Sequence, residues 1–163
     1  MRANKYMNSR SIDTSEVFKN FHKHTVQVIL KFQSCVDGAH SVSYCVREKD
    51  VDGEGTDPDG QVGIQTSLYY FHLVPWLSII PRERFLFLRT EDLAHDPHLT
   101  MNEVRNFLHL TEFPGNLIFE NAHRQADGLT IHPPTKHLLD FFFQPYNQLL
   151  AHLLSDKRYL WND

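Results

Sequence analysis

RFLFLRTEDL, residues 84–93, is the stretch on which the reading of the fold turns. Phe85, Leu86, Phe87 and Leu88 form an unbroken apolar run, bounded upstream by Pro81 and downstream by the acids Glu91 and Asp92. Four residues are too few for a buried helix, so the run predicts a strand with both faces covered. Strands of that kind belong to parallel sheets with helices packed on either side. In open α/β sheets, ligands bind beyond the carboxyl ends of the strands, where Glu91 and Asp92 stand. Glu91 can serve chemistry there, or it can be a structural anchor that accepts hydrogen bonds from backbone amides of neighbouring loops. We favour the anchor, whose loss beneath buried amides would cost about 1–3 kcal/mol.

Working outward, helical periodicity surrounds this run. Thr14 or Ser15 can cap a helix reaching about Cys35, with Phe18, Phe21, Thr25, Val28, Ile29 and Phe32 on one face at spacings of three and four. A second helix is predicted over 62–80, lined by Ile64, Leu68, Phe71 and Leu77, with Pro75 kinking or splitting it and Pro81 stopping it. Thr100 and Glu103 have the spacing of a capping box, followed by the inner face Met101, Val104, Phe107 and Leu108. A last helix is predicted over 135–154, with Leu138, Leu139, Phe142, Tyr146, Leu149, Leu150 and Leu153 inward and a bend at Pro145. Two polar stretches separate these units. Residues 47–60, REKDVDGEGTDPDG, are an acidic, Gly-rich exposed loop, and residues 121–134, NAHRQADGLTIHPP, are a second loop.

Composition narrows the class. The chain has 163 residues, 41% of them hydrophobic and 22% charged, which fits one globular domain with its own core. A net charge of −4 and the lack of a basic stripe speak against nucleic acid. No apolar run is long enough to span a membrane, and MRANKYMNSRS is not a signal peptide. The eleven histidines are scattered, with neither H-E-x-x-H nor a cysteine pair at zinc spacing, and the acids of 47–60 lack the alternating calcium pattern. No metal is therefore expected. The motifs G-x-S-x-G, G-x-x-x-x-G-K-[ST] and G-x-G-x-x-G are absent. Cys35 and Cys45 are either two buried thiols or a short-loop disulfide; the residues alone leave both open.

The ordered features resemble a known family. RFLFLRTEDLAHDPHLTMNEVRNFLHL is similar to the late part of carbohydrate sulfotransferases, where a buried strand ends in an x-E-D-L turn, an x-D-P spacer follows, and a helix closes on F-L-x-L. FHKHTVQVILKFQSC, with Cys45 beyond it, resembles the segment before the paired cysteines of the N-acetylgalactosamine 4-sulfate 6-O-sulfotransferases. QVGIQTSLYYFHLVPWLSIIPRERF and HPPTKHLLDFFFQPYNQLLAHLL resemble that group's Q-V-G-L-Y stretch, D-W-L-S turn and terminal helix. The likeness runs from about Tyr6 to Trp161.

The resemblance implies an enzyme that moves a sulfuryl group from 3′-phosphoadenosine 5′-phosphosulfate to a sugar hydroxyl of a glycosaminoglycan such as chondroitin sulfate, with the 6-hydroxyl of N-acetylgalactosamine 4-sulfate as the specific target. It implies a Golgi-lumen setting, with membrane attachment only through an anchor absent from this chain. That oxidising lumen favours a Cys35–Cys45 disulfide. It also points to Arg124 and Gly128 as the positions matching the family's loop over the nucleotide phosphates: a guanidinium forks onto phosphate, and glycine lets the backbone come close. The departures matter as much. The family's strand-loop-helix for the 5′-phosphosulfate and its R-D-P-x-x-R-x-x-S-x-Y segment for the 3′-phosphate are not found here. The expectation is therefore an α/β, partial P-loop-type sulfotransferase fold: residues 1–163 as the C-terminal portion of one sulfotransferase domain, with the nucleotide-binding strand-loop-helix missing and the catalytic residues, unknown, upstream. A non-catalytic glycan- or partner-binding product of the same descent is the alternative.

Overall fold

The computed structural model describes residues 14–48, 63–111 and 131–161. The chain divides into two compact units, Met1–Val74 with Thr130–Asp163, and Pro75–Leu129.

In the first unit, α1 (Thr14–Asp37) is the long amphipathic helix that the spacing predicts. Thr25, Val28 and Phe32 are fully buried along it, and Phe18, Phe21 and Ile29 are half-buried on the same face. That face meets α6 (Pro133–Leu154), whose Phe142, Phe143 and Tyr146 close over it. Phe142 and Tyr146 stand edge-on to Phe32 at 5.5 and 6.4 Å, an arrangement that sets ring edges against ring faces. Burial among these rings pushes the Tyr146 hydroxyl above its ordinary pKa, so the phenol stays neutral well into alkaline solution. A polar tie joins the two helices: His22 Nδ1 and the fully buried Thr135 hydroxyl lie 2.9 Å apart. The predicted inner face of α6 is right for Leu138, Leu139, Phe142, Tyr146, Leu150 and Leu153, but Leu149 is exposed and Leu154 is buried in its place. The helix runs through Pro145 and ends at Ser155, which takes the left-handed conformation (φ 54°) while the Ser155 and Asp156 amides donate to the carbonyls of His152 and Ala151.

A short α2 (Val42–Cys45) folds back on α1, capped by the Ser41 hydroxyl on the Tyr44 amide. Cys35 and Cys45 are joined in a disulfide with their Cα atoms 5.9 Å apart, which settles the choice that composition leaves open. The predicted helix over 62–80 is shorter than expected. It is α3 (Tyr69–Leu77), and its N-terminal part is replaced by a turn. The Thr66 and Ser67 hydroxyls both donate to the Gly63 carbonyl, giving the backbone an alternative to the helical ladder. A Cβ at Gly63 would stand 2.6 Å from the Thr66 hydroxyl oxygen, so a larger residue there would make that side chain rotate away from the Gly63 carbonyl. The buried Gln65 amide donates to the Cys45 and Glu48 carbonyls and fixes this turn to the end of α2.

In the second unit, the chain passes a 3₁₀ turn (Arg82–Arg84), an extended segment, α4 (Thr90–His95) and α5 (Pro97–Phe107). The predicted strand needs correction. Phe85 (φ −116°, ψ 133°) and Arg89 (φ −96°, ψ 141°) are extended, and the Phe85 and Phe87 rings stack at 5.7 Å as residues two apart on extended backbone do. Yet no strand ladder forms among the described residues, so a parallel sheet is not seen. An extended chain becomes a strand only when a neighbour takes up its amides and carbonyls. Nor are both faces covered: Phe85, Leu86 and Phe87 are half-buried and Leu88 is exposed.

The capping box at Thr100 is likewise replaced. Asp96 caps α5 through its carboxylate on the Leu99 amide, Pro97 occupies the first turn, and the buried Thr100 hydroxyl donates back to the Asp96 carbonyl. Asp followed by Pro is the stronger start signal, because proline's fixed φ is already helical and its missing amide needs no partner. The helix closes with His109 in the left-handed region (φ 54°) and the His109 and Leu110 amides on the carbonyls of Asn106 and Arg105.

Candidate functional site

The acidic pair after the extended segment is organised around a residue that reading the sequence passed over. Arg89 precedes α4 and is the buried charge of this region, its side chain only 6% exposed. Glu91 Oε2 lies 3.6 Å from Arg89 Nε, and Asp92 Oδ1 lies 4.0 Å from Arg89 Nη1. Extended backbone through Leu88 turns the Arg89 side chain inward, and the first turn of α4 then brings residues two and three further on back past it. Both acids also sit where a helix start favours negative charge.

On the approach, Arg82 packs its guanidinium over the Phe87 ring, 4.5 Å from the centroid, and donates from Nη1 to the Phe85 carbonyl at 3.0 Å. The extended segment is thus pinned at its start by Arg82 and at its end by Arg89. Cation–π contact of this kind contributes about 0.5–1 kcal/mol at an exposed site.

Glu91 stands in the first turn of α4, beside the buried Arg89. Its side chain is 55% exposed, and its charge faces Arg89. A partly solvated ion pair is weak, so the expected cost of disturbing the cluster moves to the buried partner. Arg89→Ala is expected to destabilise by about 1–3 kcal/mol through lost stem packing and lost charge-assisted contacts. Glu91→Gln is expected to cost at most about 1 kcal/mol. Urea unfolding of the two variants side by side measures this, and a Glu91→Gln loss as large as that of Arg89→Ala would reverse the assignment. An arginine closing an apolar run, with acids two and three residues on, is the pattern that could have found it.

Cys35 and Cys45 are brought together as described. Arg124 and Gly128 lie outside the described residues, as does most of the acidic loop 47–60. Among the described residues, no group of three or more His, Cys, Asp or Glu side chains could hold a metal ion, and no helix is long and apolar enough to cross a membrane.

Comparison with known proteins places this arrangement in a family. Residues 3–125 match the sulfotransferase domain. Carbohydrate sulfotransferase 15 of Homo sapiens is 29% identical across 87% of this chain and 26% of its own length. The protein of the same name from Nototodarus sloanii is 26% identical, across 87% of this chain and 95% of its own length. The chain spans about a quarter of the length of the mammalian relatives it matches. No solved structure matches it. With three-quarters of its residues inside that domain match, from the N-terminal segment through the Arg89–Glu91–Asp92 cluster to Arg124, the chain belongs to the sulfotransferase family and is similar to its carbohydrate sulfotransferases.

Proposed function

We propose that this chain is part of an enzyme that transfers a sulfuryl group from 3′-phosphoadenosine 5′-phosphosulfate to a hydroxyl of a glycosaminoglycan, with the 6-hydroxyl of N-acetylgalactosamine 4-sulfate as acceptor. The observation that carries the reading is the domain match over residues 3–125 together with the carbohydrate sulfotransferase relatives. In such a transfer the acceptor oxygen forms a bond to sulfur. The bond from sulfur to the bridging phosphate oxygen breaks, a base takes the acceptor's proton, and 3′,5′-ADP leaves. Charge collects on the bridging oxygen, so fixed donors there matter most.

In this reading the extended segment from Phe85 is one strand of a parallel sheet, completed by strands from elsewhere in the domain. Glu91 and Asp92 act as the anchor of its carboxyl end by holding Arg89. Arg124 takes the 3′-phosphate side of the donor, with Gly128 letting the backbone approach. The catalytic residues are expected upstream of this chain, and the setting is the Golgi lumen. Support for the donor role of Arg124 comes from the resemblance of its loop and from the geometry of a guanidinium toward phosphate.

The test is binding of 3′,5′-ADP to protein expressed from the native gene. Arg124→Ala is expected to weaken it by about 1–3 kcal/mol. Equal affinity of wild type and variant would take this loop out of the donor site.

A further inference from the structure

The loop closed by the Cys35–Cys45 disulfide carries an exposed feature that the sulfate-transfer reading does not use. His40 and Tyr44 stack at 4.6 Å with their planes 22° apart. Both are exposed, so the stacked pair presents aromatic surface to solvent. Four fixed features hold the pair outward. Ala39 is in the left-handed conformation (φ 66°), Ser41 caps α2, the neighbouring Cys45 is fully buried in its disulfide, and the Gln65 amide fastens the Cys45 carbonyl from behind. One helical turn past Tyr44, the exposed Arg47 donates its Nε to the Ser43 carbonyl at 3.0 Å. That bond turns the side chain back along α2, and its terminal nitrogens have no partner among the described residues. The nearby Asp37 carboxylate is taken by the Gln33 amide at 2.8 Å.

We propose that His40, Tyr44 and Arg47 form a binding site for a sulfated sugar unit, a secondary subsite for the acceptor chain. The proposal rests on the reading of the acceptor as a sulfated glycan. A sugar ring presents a C–H face that packs on an aromatic face, and a sulfate ester on the ring accepts two parallel hydrogen bonds from a guanidinium. The disulfide and the cap pre-order the loop, so little conformational entropy is lost when the sugar docks.

The experiment is a titration of the 163-residue chain with a chondroitin 4-sulfate hexasaccharide and with its unsulfated counterpart, followed by NMR signals of His40, Tyr44 and Arg47. The sulfated sugar is expected to bind about tenfold more tightly than the unsulfated one, one charge-assisted contact's worth. Arg47→Gln should erase that difference. Tyr44→Ala should weaken both sugars about tenfold, while Tyr44→Phe, which keeps the stack, should bind as wild type. Wild-type affinity in Arg47→Gln and Tyr44→Ala, or no binding of either sugar by the wild type, overturns the site. Either outcome leaves the transfer reaction to be judged by label transfer from the donor.

Discussion

Phe32→Ala is expected to remove about 3–5 kcal/mol of stability, the cost of emptying a large aromatic site in a core. Phe32 is fully buried at the centre of the cluster formed by Cys45, Val46 and Leu68, with Cys35, Phe71, Phe142 and Tyr146 against it. Two edge-on ring contacts go with it, each adding about 0.5–1.5 kcal/mol beyond buried area. The surrounding side chains come from α1, α2, α3 and α6, so the void has no single element that can collapse into it. Domains of this size hold only about 5–15 kcal/mol in total, so the variant should be at the edge of folding. Phe32→Leu keeps most of the volume and should lose only about 1–2 kcal/mol, which keeps the comparison measurable if the alanine variant does not fold. Urea midpoints decide it: a Phe32→Ala loss under 1 kcal/mol would mean that this cluster is not the core of the first unit.

The disulfide carries the second large effect. A loop of about ten residues closed by a bridge gains roughly 3 kcal/mol from the restricted unfolded chain. Here the bridge also holds α2 and, through Gln65, the turn at Gly63–Ser67. Alanine at both positions is the cleaner replacement, because Cys45 is fully buried and a serine hydroxyl there would lack a partner. Cys35→Ala/Cys45→Ala, or reduction of the wild type, should lower the unfolding free energy by about 2–4 kcal/mol. Alkylation of unreduced, denatured protein should label no cysteine. Two labelled thiols, or a urea midpoint indifferent to reductant, would remove the bridge from the account.

The parts of this fold that were legible in the sequence are those where one local signal had no rival. Phe18, Phe21, Thr25, Val28, Ile29 and Phe32 repeat over four turns, and all six lie on the packed face of α1. The last helix was legible for the same reason, except at Leu149 and Leu154, where the apolar face is wider than the pattern can resolve. Competing local interactions account for the misreadings. At Gly63–Ser67, hydroxyl-to-backbone bonds outweigh a helical periodicity of weak formers. At Asp96, a cap followed by proline outweighs the capping box at Thr100. The run Phe85–Leu88 specifies extended backbone, and its dihedrals and ring stacking agree. Pairing, however, depends on another segment, which a local pattern does not contain. In the first turn of α4 the Glu91 side chain is 55% exposed while Arg89 goes in, a difference in depth that a local pattern does not specify.

Transfer itself tests the central claim most directly. Protein expressed from the native gene is given donor carrying labelled sulfate together with chondroitin 4-sulfate, and the product is digested to disaccharides. The account predicts label on the 6-hydroxyl of N-acetylgalactosamine 4-sulfate, with 3′,5′-ADP released in equal amount. Binding of 3′,5′-ADP and chondroitin sulfate with no label transferred to any sugar hydroxyl would contradict it and leave a glycan-binding protein of sulfotransferase descent.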